Sequence, residues 1–415
     1  MSSYIIEGGK KLEGEVKISG SKNASLPIIS ACILNGTTST IHNVPDIGDI
    51  KSTLEILKQL GCRVKRMNNK VQINSANIKT CEIPDYLMRE LRSSVIIVGA
   101  LLARFKKATF TYPGGCDIGT RPIDLHLNGF RKMGAIVNDD SGTIKCYAEK
   151  LLGTEINLDL PSVGATENIM LTAVLAEGTT TIRNAALEPE IVDLQNMLNK
   201  MGAQVEGAGT DVINITGVKK LKAVNYNVMP DRIEAGTFLS ATAITGGKVK
   251  LTNVMPEHLK PVIYKLEEMG CKIEVQEKSI EMESPKRLKA VDIKTMPYPG
   301  FPTDMQPLIS TALTVAKGTS IVVENIFESR FKYIEELKRM GAKATIEGRT
   351  AIIKGTKKLK GTHVKSSDLR GGAALVIAGL AAKGRTEVNN IEYLLRGYEK
   401  FDKKLNQLGA KVTKI

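Results

Sequence analysis

A short signature recurs six times along the chain. It reads Leu60-Gly61-Cys62-Arg63-Val64, Met133-Gly134-Ala135-Ile136-Val137 and Met201-Gly202-Ala203-Gln204-Val205 in the first half. In the second half it reads Met269-Gly270-Cys271-Lys272-Ile273, Met340-Gly341-Ala342-Lys343-Ala344 and Leu408-Gly409-Ala410-Lys411-Val412. Successive glycines lie 73, 68, 68, 71 and 68 residues apart. Such regular spacing means that one unit of about 70 residues is used six times, and this governs the fold.

Each signature closes a helical run. Residues 53–60 and 334–340 place apolar side chains at helical spacing; the glycine then stops the helix and a β-branched residue opens a strand. Most units carry an earlier, smaller-residue apolar run followed by Gly and an alternating strand. Examples are 171–177 before Gly178-Thr179-Thr180-Thr181-Ile182, and 373–383 before Gly384-Arg385-Thr386-Glu387-Val388. These runs are apolar nearly all round and should be buried, whereas the first kind is amphipathic and should lie outside. The predicted unit is strand, buried helix, strand, outer helix, strand. The expected class is therefore α/β, with six units dividing into two domains of three.

Unusual residues gather where the buried helices start: Ser21-Lys22-Asn23, Arg92-Ser93-Ser94, Ser162-Val163-Gly164, Asp231-Arg232, Thr303-Asp304 and Ser367-Asp368-Leu369-Arg370. Ser, Thr, Asp and Asn are ordinary caps. Capping does not call for Lys22, Arg92 or Arg370. Three such helix starts brought together by threefold packing would make a strong site for phosphates and carboxylates. A second candidate is the run Tyr112-Pro113-Gly114-Gly115-Cys116-Asp117-Ile118-Gly119-Thr120-Arg121, where a thiol and a guanidinium sit in a loop that proline and glycine keep out of helix or strand.

The net charge of +14 raises nucleic-acid binding. The lysines are spread along the chain, however, and no nucleic-acid motif is present. With aromatics at 4% and no Trp, little is available for stacking on single strands. Small anionic substrates fit the charge equally well. Cysteines 32, 62, 81, 116, 146 and 271 are scattered without a C-x-x-C pair, as expected of reduced thiols in a cytoplasmic enzyme. No signal peptide is visible, and the apolar stretches near 95–103 and 373–382 are too short to span a bilayer.

With these pieces in order, the chain resembles the enolpyruvyl transferases over essentially its whole length. The most specific motifs are Gly20-Ser21-Lys22-Asn23-Ala24, the run from Pro113 to His126, and Met229-Pro230-Asp231-Arg232-Ile233-Glu234-Ala235-Gly236-Thr237. Gly300-Phe301-Pro302-Thr303-Asp304-Met305-Gln306, Phe327-Glu328-Ser329-Arg330-Phe331, Asp368-Leu369-Arg370 and Arg396-Gly397-Tyr398-Glu399 follow. The resemblance implies two inside-out α/β domains, 21–229 and 1–20 with 230–415, and an active site in the interdomain cleft. It implies transfer of the enolpyruvyl group of phosphoenolpyruvate to the 3′-hydroxyl of UDP-N-acetylglucosamine, with release of phosphate, in peptidoglycan precursor synthesis. Neither metal nor organic cofactor is implied, and no nucleic-acid or membrane partner.

By the same resemblance Lys22, Arg121 and Arg396 hold phosphoenolpyruvate, for which arginine's fork suits both anionic groups. Asn23 contacts the reacting centre, with Arg92 and Arg370 nearby. Cys116 is the implied general acid, and Asp304 the implied base on the sugar hydroxyl. Arg121, Pro122, Ile123, Asp124 and Leu125, with Ser162, Val163 and Gly164, are the implied nucleotide contacts. Asp304 and Ile326 fall on the sugar and uracil side. Asp231, Arg330 and Asp368 match site-lining positions without a sharper role, and His126 reads as structural. Leu395 stands where many relatives carry an acid, and Ser25 where alanine is usual. The competing readings are the shikimate-pathway relative on the same fold, which lacks this cysteine loop, and a catalytically silent nucleotide-binding paralogue.

Overall fold

The computed structural model describes residues 2–115 and 118–415. All six signature glycines adopt left-handed backbone, with φ between 87° and 110°. Glycine takes this conformation without the steric cost that a Cβ brings, so each one ends an outer helix and turns the chain into a strand. The outer helices are Gly48–Leu60, Asp124–Lys132, Pro189–Lys200, Lys260–Glu268, Lys332–Arg339 and Phe401–Gln407. The inner helices are Lys22–Ala31, Ile96–Phe105, Val163–Ala173, Arg232–Thr245, Gln306–Leu313 and Leu369–Ala381, all largely buried.

Each repeat builds one small sheet. In five of them the strand after the inner helix pairs antiparallel with the return arm of a hairpin, as Thr38–His42 does with Lys70–Asn74 and Lys248–Thr252 with Ser279–Glu283. That return arm is absent from the predicted unit, which stopped at the strand after the glycine. The sixth repeat has no return arm of its own. The N-terminal strand Ser3–Glu7 fills the place, lying between Arg385–Asn389 and Val412–Lys414.

The chain forms two compact units. One contains residues 2–19, 118–120 and 230–415; the other contains 20–115 and 121–229. Strand exchange explains the breaks at 19/20 and 229/230. Glu13–Lys17 precedes the first inner helix, yet pairs in parallel with Lys248–Thr252. Asn225–Asn227 precedes the fourth inner helix, yet pairs in parallel with Thr38–His42. Residues 118–120 were expected within 21–229 but pack with the other unit. There the Thr120 amide and hydroxyl both donate to a Glu328 carboxylate oxygen, at 2.6 and 2.8 Å, and the Ser329 amide donates to the Ile118 carbonyl at 3.1 Å.

Within the unit 20–115 with 121–229, helices Ile96–Phe105 and Val163–Ala173 run side by side, joined by buried Asn168. Its Oδ1 accepts from the Gly99 amide at 2.8 Å, and its Nδ2 donates to the Val95 carbonyl at 2.8 Å. The Thr172 hydroxyl donates to the Asn168 carbonyl at 2.8 Å, and its oxygen lies 3.3 Å from the Gly99 carbonyl oxygen. Because 95 and 99 meet 168, and 99 also meets 172, the helices are parallel and start at the same end. Only a glycine admits this approach, since a Cβ at 99 would lie 2.5 Å from the Asn168 carbonyl oxygen. Gly99→Ala should therefore destabilise the protein by about 2 kcal/mol or more through overpacking, although alanine is favoured by about 1 kcal/mol in an open helix. Thermal unfolding of the variant measures the sign; a raised Tm would show that the helices have room to part.

Candidate active site

In the unit 20–115 with 121–229, Ser21 caps the first inner helix, its Oγ accepting from the Ala24 amide at 3.2 Å. Lys22 and Asn23 are that helix's first residues. The Lys22 ammonium lies 2.9 Å from Asp49 Oδ2, and both side chains are largely buried. Asp49 was not singled out in the sequence. It sits in the first turn of the outer helix Gly48–Leu60, where an acid reads only as a partner of the helix dipole.

Arg92 opens a 3-10 turn that leads into Ile96–Phe105, and its Nη1 reaches the Pro113 carbonyl at 3.4 Å. Burial, reinforced by the like charge of Arg121, pushes Arg92 down to about 10. A Cβ on Gly115 would stand 3.1 Å from the Arg92 Cβ and backbone nitrogen and 3.4 Å from Arg121 Nη2, so both residues border this glycine. Holding two guanidiniums together costs free energy that a bound dianion would return. This is the pattern of a phosphate or carboxylate site.

Pro122 and Ile123 lead into helix Asp124–Lys132, which begins with Asp124 and Leu125. Ser162 caps the third inner helix, its Oγ accepting from the Ala165 amide at 3.3 Å, so Val163 and Gly164 form the first turn. His126 joins the two helix starts. Its Nδ1 lies 2.9 Å from Asn168 Nδ2, and its Cε1 lies 3.2 Å from where a Gly164 Cβ would be. Since Asn168 Nδ2 is a donor, His126 Nδ1 accepts and the ring is neutral. Burial first, then Arg92, depress the imidazole to about 3. His126 is structural, and it places 122–125 beside 162–164.

In the unit containing 230–415, Asp304 lies in the 3-10 turn Thr303–Met305 before helix Gln306–Leu313. Two buried arginines clamp it. Arg330 Nη2 is 2.7 Å from Oδ1; Arg370 Nη2 and Nε are 3.0 and 3.3 Å from Oδ2. Burial works against the Arg370 charge, yet the Asp304 carboxylate raises Arg370 above its ordinary range. Asp368 Oδ1 caps its own helix by accepting from the Arg370 and Gly371 amides at 3.0 and 2.9 Å, and this fixes where Arg370 leaves the backbone. Asp231 caps the fourth inner helix in the same way, accepting from Ile233 and Glu234.

Ile326 is placed by Glu324, which sequence reasoning also missed. Glu324 Oε1 accepts from the Ile326 and Phe327 amides and from the Thr295 hydroxyl, while Oε2 accepts from the Thr303 hydroxyl at 3.0 Å. One buried carboxylate thus ties the Asp304 turn to the Ile326 loop. Arg396 follows the short helix Glu392–Leu395; next to it Gly397 lies so close to Leu369 that a Cβ would be 2.6 Å from that side chain. This sets Arg396 near the start of the helix bearing Arg370. Leu395, noted in the sequence as a departure from the resemblance, is partly buried and packs on the apolar core.

Cys116 and Asp117 lie outside the described residues. Of the other cysteines, Cys32, Cys62, Cys146 and Cys271 are buried and pushed up to about 12, chiefly by burial, and Cys81 is raised for the same reason.

Residues 6–405 match the family described as EPSP synthase (3-phosphoshikimate 1-carboxyvinyltransferase). The chain is 53% identical over 416 residues to UDP-N-acetylglucosamine 1-carboxyvinyltransferase 2 of Caldanaerobacter subterraneus subsp. tengcongensis, covering 100% of both chains. It is 49% identical over 415 residues to UDP-N-acetylglucosamine 1-carboxyvinyltransferase of Geotalea uraniireducens, again covering 100% of both. The fold matches that of the enolpyruvyl transferase NikO from Streptomyces tendae with a TM-score of 0.89, at 24% identity over 100% of this chain and 98% of that one. It also matches an EPSP synthase from Acinetobacter baumannii with a TM-score of 0.76, at 22% identity over 100% and 99% of the two chains. Full-length agreement with relatives about half identical places this chain in the EPSP synthase family of carboxyvinyl (enolpyruvyl) transferases, among the UDP-N-acetylglucosamine 1-carboxyvinyltransferases.

Proposed function

We propose that this enzyme transfers the enolpyruvyl group of phosphoenolpyruvate to the 3′-hydroxyl of UDP-N-acetylglucosamine in the cytoplasm, releasing phosphate, as the first committed step of peptidoglycan precursor synthesis. The observation that carries the reading is the full-length identity with relatives bearing that activity in their names. The like charges of Arg92 and Arg121, both bordering Gly115, support it because two cations this close suit an anionic substrate.

In this reading Lys22, Arg121 and Arg396 bind phosphoenolpyruvate, with Asn23 at the reacting carbon and Arg92 alongside. Asp49 holds the Lys22 ammonium in place. Residues 121–125 and 162–164 take the nucleotide, and backbone amides at the start of the third inner helix face its diphosphate. Ile326 borders the uracil side. Asp304, held in place by Arg330 and Arg370, accepts the hydrogen bond of the 3′-hydroxyl and takes its proton as the C–O bond forms. Cys116 delivers a proton to the methylene carbon. The tetrahedral adduct then loses phosphate and a proton from the new methyl group to regenerate the double bond. Lys22 and the helix starts stabilise charge on that adduct, an effect worth about 3 kcal/mol per well-placed donor.

Phosphate release is the first test. It should require both phosphoenolpyruvate and UDP-N-acetylglucosamine, and Lys22→Met should slow it by about a hundredfold or more. Release with shikimate 3-phosphate instead of the sugar nucleotide would favour the other branch of the family. Neighbouring guanidiniums favour a thiolate, whereas a proton donor must be a thiol. Bound phosphoenolpyruvate should offset the arginines, so the pH midpoint for alkylation of Cys116 should rise when it is added; an unmoved midpoint contradicts this. The epoxide phosphonate fosfomycin should label Cys116 alone, because the described cysteines are held protonated. Cys116→Asp should escape labelling and keep turning over. Mass spectrometry and the phosphate assay read both outcomes, and an inactive Asp variant counts against the proton-donor role.

A further inference from the structure

We propose that Tyr398 and Thr237 are positioning residues for the transfer: acting through Arg370, they fix the orientation of the Asp304 carboxylate. The inference rests on the role given to Asp304 above. Thr237 lies mid-helix in Arg232–Thr245 and is fully buried; Tyr398 is 1% exposed and Arg370 3%. The Thr237 hydroxyl donates to the Ile233 carbonyl at 2.7 Å, so its single proton is used. The 2.8 Å contact between Thr237 Oγ1 and the Tyr398 hydroxyl must then have tyrosine as donor. That hydrogen bond anchors the tyrosine ring. Arg370 lies over the ring, its Cζ 5.3 Å from the Tyr398 ring centroid.

Arg370 spends Nε and Nη2 on Asp304 Oδ2, while its buried Nη1 has no hydrogen-bond partner. The guanidinium is therefore gripped by the carboxylate along one edge, and the tyrosine is the neighbour that limits how it can turn. Burial pushes the Tyr398 phenol up and the nearby charge of Arg370 pulls it part of the way back. Asp231 also acts on both residues through its charge, so the tyrosine sits within a balanced set of charges. The chain of contacts runs from the Ile233 carbonyl through Thr237, Tyr398 and Arg370 to Asp304, with Arg330 closing the other side.

Tyr398→Phe keeps the ring and removes only the hydroxyl. It should lower kcat about tenfold and leave KM for both substrates within about twofold, since an interaction that acts in the transition state changes kcat without changing ground-state binding. In an Arg370→Lys background the same substitution should cost nothing further, because the group it acts through is gone. Thr237→Val should reproduce the loss and Thr237→Ser should recover it. Equal losses in both backgrounds, a rise in KM alone, or no recovery by serine would each overturn the proposal. NMR exchange of the Arg370 Nε proton gives a readout that needs no turnover. It should quicken in Tyr398→Phe whether or not the transfer assay succeeds, and unchanged exchange refutes the positioning role independently of the assigned reaction.

Discussion

The architecture depends on inner helices that are apolar along their length and, in most of them, charged at or just before their start. A helix such as Leu369–Ala381 buries nearly every side chain, and burial of each large apolar side chain contributes roughly 1.5–3 kcal/mol. The same burial would penalise Arg370 by several kcal/mol, and partial burial would penalise Asp304 and Lys22 by less, were they alone. They are not alone: Arg370 and Arg330 meet Asp304, and Lys22 meets Asp49. The apolar bodies provide stability, and the paired starts provide fixed charges that a substrate can use.

That division of labour explains why the proposed chemistry is assigned to the helix starts. Caps from Ser21, Ser162, Asp231 and Asp368 occupy some of the free amides of the first turn and fix the direction in which the next residues leave. Further in, carboxylates and hydroxyls that never meet substrate in the proposed scheme hold those that do. Glu324 ties two loops together, and Thr237 with Tyr398 limits the freedom of Arg370. Such buried polar contacts are useful only when satisfied throughout.

The outer helices, their terminal glycines and the inner apolar runs were legible in the sequence because each is a local pattern. The hairpin return arms were not. A strand such as Lys70–Asn74 buries only Val71 and Ile73 among polar residues, too brief an alternation to separate from loop. Nor could local pattern show that Ser3–Glu7 completes the sixth sheet, since that pairing joins the two ends of the chain. The candidate site was legible where a residue type was out of place, as with Lys22 or Arg370 at a helix start. Asp49, Glu324 and Thr237 were hidden because an acid in a first turn, an acid after a strand and a threonine inside an apolar helix look ordinary.

The central claim is that one carbon of phosphoenolpyruvate becomes bonded to the 3′-oxygen of the sugar. Incubating the enzyme with phosphoenolpyruvate labelled with carbon-13 at C2, together with UDP-N-acetylglucosamine, and recording long-range carbon–proton NMR correlations observes that bond directly. The account predicts a correlation from the labelled carbon to the proton on C3 of the sugar, with the vinyl protons retained. Label found only in pyruvate or in unreacted phosphoenolpyruvate would contradict it.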